Sequence, residues 1–282
     1  MYLSNYHSHS LFCDGRSTPE DFVRFALSAG FKAFGFSSHS PLPFETNWNM
    51  SAADLPAYLE HTAYLKEKYK DNIELYTALE IDYLDETYNP SISYFRNMPL
   101  DYRIGSVHYL PVAPGMVEEN MVTIDGSFEE FEKAIKEHFD GDVKQLVRCY
   151  YQSSMQMVER GGIDIVGHMD KVYMNGYRCS GFSMEDSWYT GLVKDYLHLI
   201  AEKKLMIEIN TKNVTRKQQT YPHRMFFPLI KELGIPVMVN SDCHFPNLVN
   251  EGREEAFKLL KAYGMQSTRE LVKGKWTDIP IQ

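Results

Sequence analysis

The sequence predicts an α/β fold built on a parallel sheet, either closed as a barrel or open and doubly wound. Three observations predict it. Seven short β-like segments recur along 282 residues, helical patterns fall between them, and no composition break or low-complexity tract interrupts the alternation. A chain of this length suits an α/β barrel folded as one unit, so residues 1–282 are read as one domain.

The elements follow in order. The first strand candidate, residues 2–9, carries Tyr2, Leu3 and Tyr6. Ser17-Thr18-Pro19-Glu20 then supplies a cap and an early proline for a helix over 19–29, which ends at Gly30. Strands are predicted over 33–38, 73–83, 102–109, 163–168, 205–210 and 236–241. Helices are predicted over 53–70, 128–160, 184–203, 223–233 and 251–263. The stretches 41–51 and 111–126 read as loops over a site, the first rich in turn residues and aromatics.

Hydrophobic residues at 44% and charged residues at 24% describe an ordinary globular protein with a substantial core. A net charge of −9 argues against a nucleic-acid partner or an anionic-membrane surface. No apolar run approaches the roughly 20 residues of a membrane span, and no basic-then-apolar opening suggests a signal peptide. Cys13, Cys149, Cys179 and Cys243 lack paired spacing, which fits reduced thiols in the cytoplasm.

Residues two apart in a strand share a side, so His7 and His9 aim both imidazoles into one pocket, with Asp14 close behind. Other strand ends carry the same chemistry: His39, Glu80, His108, His168, and Asp242 with His244. Six of ten histidines therefore fall at one end of successive strands, where a parallel barrel builds its site. His61, His138, His198 and His223 fall in helical or loop contexts and are read as ordinary packed or solvated residues. Burying so many imidazoles and carboxylates together without a counter-ion is costly, so the pattern predicts bound divalent metal.

These residues resemble the polymerase-and-histidinol-phosphatase superfamily. The resemblance implies a distorted (β/α)7 TIM-like barrel with a trinuclear metal centre at the C-terminal ends of the strands. It implies one metal on His7, His9, Glu80 and Asp242, a second on Glu80, His108 and His168, and a third on Asp14, His39 and His244. Zinc, manganese and iron all suit such ligands. His7-Ser8-His9-Ser10, Cys13-Asp14-Gly15, His39-Ser40-Pro41 and Glu208-Ile209-Asn210-Thr211 further resemble stand-alone histidinol-phosphate phosphatases. Where those enzymes often carry an arginine, Lys171 stands here.

The expected activity is hydrolysis of a small phosphorylated substrate, L-histidinol phosphate first, as a step of histidine biosynthesis. Another small phosphate ester, such as a nucleotide or sugar phosphate, is the alternative. The expected chemistry is in-line attack by metal-activated water without a phosphoenzyme, with Asp242 or His244 passing a proton to the departing alkoxide. Arg16, Lys171 and Arg216 are the candidate phosphate cations. Phe44, Trp48 and Tyr109 are candidates for contact with the organic part of the substrate. A C–N or C–O hydrolase and a metal-binding regulatory module are the rival classes.

Overall fold

The computed structural model describes residues 2–214 and 219–281. Its centre is a seven-stranded, all-parallel sheet in the order β1 (Ser4–Asn5), β2 (Ala33–Phe36), β3 (Glu74–Asp82), β4 (Tyr102–Ser106), β7 (Ile165–Val166), β8 (Met206–Asn210) and β9 (Val237–Asn240). Two antiparallel pairs complete the strands: β5 (Tyr109–Pro111) with β6 (Met121–Thr123), and β10 (Ser267–Val272) with β11 (Lys275–Pro280). All seven predicted barrel strands are present, and the sheet is nearly closed. Its seam joins Ser8 to Cys243 as a parallel bridge, and the His9 amide donates to the Cys243 carbonyl at 2.9 Å. Two side-chain amides finish the seam: Asn240 Oδ1 accepts from the Tyr6 amide and Asn5 Oδ1 from the Ser241 amide. Carboxamides thus satisfy backbone groups that the short edge strands leave unpaired.

The helices are α1 (Pro19–Ser28), α2 (Leu55–Lys68), α3 (Ser93–Arg96), α4 (Phe128–His138), α5 (Val143–Arg160), α6 (Tyr173–Gly176), α7 (Ser187–Glu202), α8 (Phe227–Glu232) and α9 (Arg253–Ala262). Thr18 caps α1 through a reciprocal capping box with Asp21, and Phe22, Val23 and Ala26 are buried. The seven parallel strands are buried along nearly their whole length, as a sheet covered on both sides requires. Inside the barrel, Tyr6, Ala33, Ala78, Tyr102, Ile104, Ile165, Met206 and Met238 form one cluster with Leu271 from β10.

Three sequence expectations are corrected, and one unassigned segment is placed. The helix predicted over 128–160 is two helices, α4 and α5, because Asp140 and Gly141 take left-handed φ values of 52° and 74°. The strand predicted over 102–109 stops at Ser106, and Tyr109 opens β5. The stretch 111–126 is a folded arm rather than an open loop, since β6 pairs Thr123 with Tyr109 and Met121 with Pro111. The last segment, unassigned in sequence, is the β10–β11 hairpin, which turns at Lys273-Gly274 with φ of 50° and 72°. Two positive φ values fit a tight hairpin turn whose twist matches its strands. The hairpin docks beneath the barrel: the Leu271 amide donates to Tyr6 Oη at 2.8 Å, and Tyr76 Oη donates to the Leu271 carbonyl at 3.1 Å.

Candidate metal centre

All nine predicted ligands converge at the C-terminal ends of the strands. His7 and His9 lie just beyond β1, where alternation turns both rings inward, 5.1 Å apart by centroid. His39 follows β2 and is bridged to Glu80 of β3. His108 follows β4, His168 follows β7, and Asp242 with His244 follows β9. Asp14 arrives on a turn pressed against His9: a Cβ at Gly15 would lie 2.3 Å from the His9 carbonyl oxygen, so only glycine fits. Asp242 itself sits in the left-handed region, φ 49°, a conformation that aspartate tolerates better than branched residues do.

Glu80 is the hub. Its Oε2 lies 3.1 Å from His7 Nε2, 3.5 Å from His9 Nε2 and 3.1 Å from His39 Nδ1. Its Oε1 lies 2.9 Å from His168 Nε2 and 3.6 Å from His108 Nε2, and accepts from Ser106 Oγ at 2.6 Å. Asp242 Oδ1 is 3.1 Å from His9 Nε2 and 3.9 Å from His7 Nε2. Asp14 approaches His244 Nε2 at 3.1 Å and His39 Nε2 at 3.8 Å. Three groups bring ligand atoms within 4.8 Å of one another: His9, Asp14, His39 and His244; His7, His9 and Asp242; and His39, Glu80 and His108. His9 and His39 each belong to two of them, so the residues make one continuous cluster rather than three separate pockets.

The donor set fits divalent metal on a specific observation. His7 Nε2, His9 Nε2, Asp14 Oδ1, His39 Nδ1 and Glu80 Oε2 are buried and have no hydrogen-bond partner among the described residues. Orphaned buried nitrogen and oxygen atoms that face each other are costly unless a cation takes their lone pairs. Burial would raise the Glu80 carboxyl, but His7, His39 and His108 hold it well below the usual range. Burial also opposes ionisation of Asp242, yet Lys212 and His7 hold it low. Burial, with His244 and His39 beside it, pushes His9 well below the usual imidazole value, which keeps its lone pair free.

Four supporting residues carry no assigned role in the sequence, although Glu208 stands in the Glu208-Ile209-Asn210-Thr211 motif. Glu208, fully buried on β8, accepts from His7 Nδ1 at 2.8 Å, the His168 amide at 2.8 Å, Asn210 Nδ2 at 2.9 Å and Asn240 Nδ2 at 3.0 Å. Asp82 accepts from both the His108 amide and Nδ1 at 2.9 Å. Carboxylates behind imidazoles fix the tautomer that turns the other nitrogen toward a metal. Asp82 was findable, because it stands two residues beyond Glu80 on the same strand face. Asp125 and Lys212 come from the β6 end and the β8 end, and both line the cavity.

That cavity, about 430 Å³, opens over the cluster. One wall is aromatic: Trp48 stacks on Tyr109 at 5.5 Å and donates from Nε1 to its hydroxyl at 3.1 Å. Phe44 packs behind Tyr109 and does not line the cavity. The β5–β6 arm brings Glu118 and Asp125, and the first turn of α4 brings Glu130. Lys171 also lines the cavity, buried, with Nζ 3.6 Å from Asp125 and 5.7 Å from the Tyr221 ring centroid. Arg16 is exposed and faces an adjoining cleft of about 290 Å³ beside Lys212 and His244, not the main cavity. Arg216 lies outside the described residues.

A model of the PHP domain matches residues 5–212. The chain belongs to the PHP domain family. The span of that match runs from β1 to just past β8 and contains seven of the nine predicted ligands. Curated relatives match most of the chain. A protein of Deinococcus radiodurans named probable histidinol-phosphatase is 26% identical over 266 residues, covering 93% of this chain and 94% of its own. The Bacillus subtilis histidinol-phosphatase is 26% identical over 262 residues, covering 86% and 94%. The crystal structure of histidinol phosphate phosphatase from Lactococcus lactis, in complex with zinc, L-histidinol and phosphate, aligns with a TM-score of 0.74 at 22% identity. It covers 97% of this chain and 98% of its own, and that likeness concerns the fold.

Proposed function

We propose that this PHP-domain chain is a metal-dependent phosphomonoesterase that hydrolyses L-histidinol phosphate to L-histidinol and inorganic phosphate. The carrying observation is the cluster itself: five orphaned buried ligand atoms beneath a cavity with cationic, acidic and aromatic walls. Relatives named histidinol-phosphatase over almost the full chain support the choice of substrate.

His7, His9, Glu80 and Asp242 would hold one ion, Glu80, His108 and His168 a second, and Asp14, His39 and His244 a third. Zinc, manganese or iron would serve. Bound there, such ions neutralise phosphoryl oxygens and make a water acidic enough to attack phosphorus near neutral pH. The chain's own residues do the rest. Glu208 and Asp82 lock His7 and His108 in the orientation that faces the cluster. Lys171 meets a phosphoryl oxygen from the cavity wall. Trp48 and Tyr109 offer a flat surface for the substrate's ring, while Glu118 and Glu130 suit its ammonium group. Asp242, ionised and facing the cavity, takes a proton at Oδ1 and returns it to the departing alkoxide, with His244 beside it.

Steady-state kinetics on L-histidinol phosphate beside a panel of nucleotide, sugar and aryl phosphates tests the reading. The expected result is a kcat/KM for L-histidinol phosphate well above every other ester. Equal values across the panel would remove the substrate, and no metal-dependent turnover of any phosphate ester would remove the activity.

A further inference from the structure

Lys212 lies two residues beyond β8, and its amide donates to Asn210 Oδ1 at 3.0 Å, which anchors its backbone. Its Nζ lies 3.1 Å from Asp242 Oδ1. That oxygen is the one facing the imidazoles: His9 Nε2 is 3.1 Å away, His244 Nδ1 3.6 Å and His7 Nε2 3.9 Å. The other Asp242 oxygen is taken by Asn210 Nδ2 at 3.1 Å. An ammonium ion and a divalent cation held by the same imidazoles therefore contend for one carboxylate oxygen, and they repel each other across a few ångströms. The Lys212 side chain is 37% exposed and lines both the main cavity and the adjoining cleft, so it has room to move. Lys171, the other cavity lysine, already faces Asp125.

We propose that Lys212 couples metal loading to anion binding. It competes with metal for Asp242 Oδ1, and a phosphoryl group in the cavity gives its ammonium an alternative partner. Phosphate then relieves the competition, so metal and phosphate tighten each other's binding through this side chain, reciprocally. The inference rests on the phosphate-ester reading above. It makes Lys212 a substrate-contacting cation whose removal helps one ligand and harms the other, a signature that general damage to the site does not produce.

The test is titration of the full-length protein with Mn²⁺, followed by the electron paramagnetic resonance signal of free Mn²⁺, with and without saturating inorganic phosphate. Wild-type protein, Lys212→Met and Lys212→Arg are compared. Lys212→Met is expected to bind Mn²⁺ about two- to fivefold more tightly without phosphate, since a partly exposed ion pair is lost. The tightening produced by phosphate is expected to shrink by up to the same factor, because the coupling carried by Lys212 is the competition that phosphate relieves. Lys212→Arg is expected to keep both wild-type properties. Unchanged or weaker Mn²⁺ binding in Lys212→Met, or full coupling retained, overturns the inference. Absence of any phosphate effect in the wild-type protein instead overturns the phosphate-ester reading on which it rests.

Discussion

Replacing Glu208 by glutamine changes one atom in shape and a great deal in hydrogen bonding. Four donors converge on the carboxylate: His7 Nδ1, the His168 amide and the amides of Asn210 and Asn240, at 2.8–3.0 Å. A glutamine has one accepting oxygen and one NH2, so in either orientation two donors meet a donor. Charged hydrogen bonds contribute about 1.5–3 kcal/mol each, so two lost bonds cost about 3–6 kcal/mol before relaxation. His7 offers the cheapest relief: its Nδ1 accepts from the glutamine NH2, and its proton moves to Nε2. That nitrogen then has no lone pair for a metal. Loss of such a backing carboxylate typically weakens metal affinity about 10- to 100-fold.

One effect acts the other way. Burial opposes a charge on His7, but Glu208, Glu80 and Asp242 hold its pKa well above normal, so removing Glu208 also eases its deprotonation. Proton competition fades as pH rises, whereas the wrong tautomer does not. The assay is therefore competition for Zn²⁺ against a chromophoric chelator at several pH values, beside urea unfolding at fixed metal. Glu208→Gln is expected to bind metal more weakly at the highest pH and to unfold at lower urea. Wild-type affinity there, with unchanged stability, would refute the argument that Glu208 sets the His7 tautomer.

Two further outcomes are expected. Gly15→Ala forces a methyl group against the His9 backbone at 2.3 Å, so circular dichroism should report an intact barrel while bound metal per chain falls; full metal content would show that the Asp14 turn yields freely. Burial pushes the Asp170 carboxyl up to about 7, so the folded state holds a proton that the unfolded state releases near pH 4. Stability then falls as pH rises from about 4 to about 7, by at most ~4 kcal/mol. Asp170→Asn cannot ionise, so it should gain on the wild type between pH 5 and pH 8 in urea unfolding; a difference independent of pH would remove the argument.

Much of this molecule is legible in its sequence because two periodicities carry the information. Alternation placed His7 and His9 on one side of a strand, and the strand–helix alternation placed His39, Glu80, His108, His168, Asp242 and His244 at one end of the barrel. Those are local properties of extended chain, and every parallel strand repeats them. The breaks were less legible. Asp140-Gly141 divides α4 from α5 inside an unbroken helical pattern, and the β10–β11 hairpin depends on Tyr6 and Tyr76 receiving Leu271 from far along the chain.

Residue type and spacing suffice for the parallel α/β architecture and for picking out the nine candidate metal ligands. That Glu80 divides its two oxygens between different imidazoles, and that Glu208 stands behind His7 from 201 residues away, depends on contacts across the barrel. The structure also seats Lys212 on Asp242 and swings the β5–β6 arm over the cavity with its carboxylates. These are meetings between side chains on different strands, set by register across the barrel and by its closure. Spacing along one chain carries no record of them.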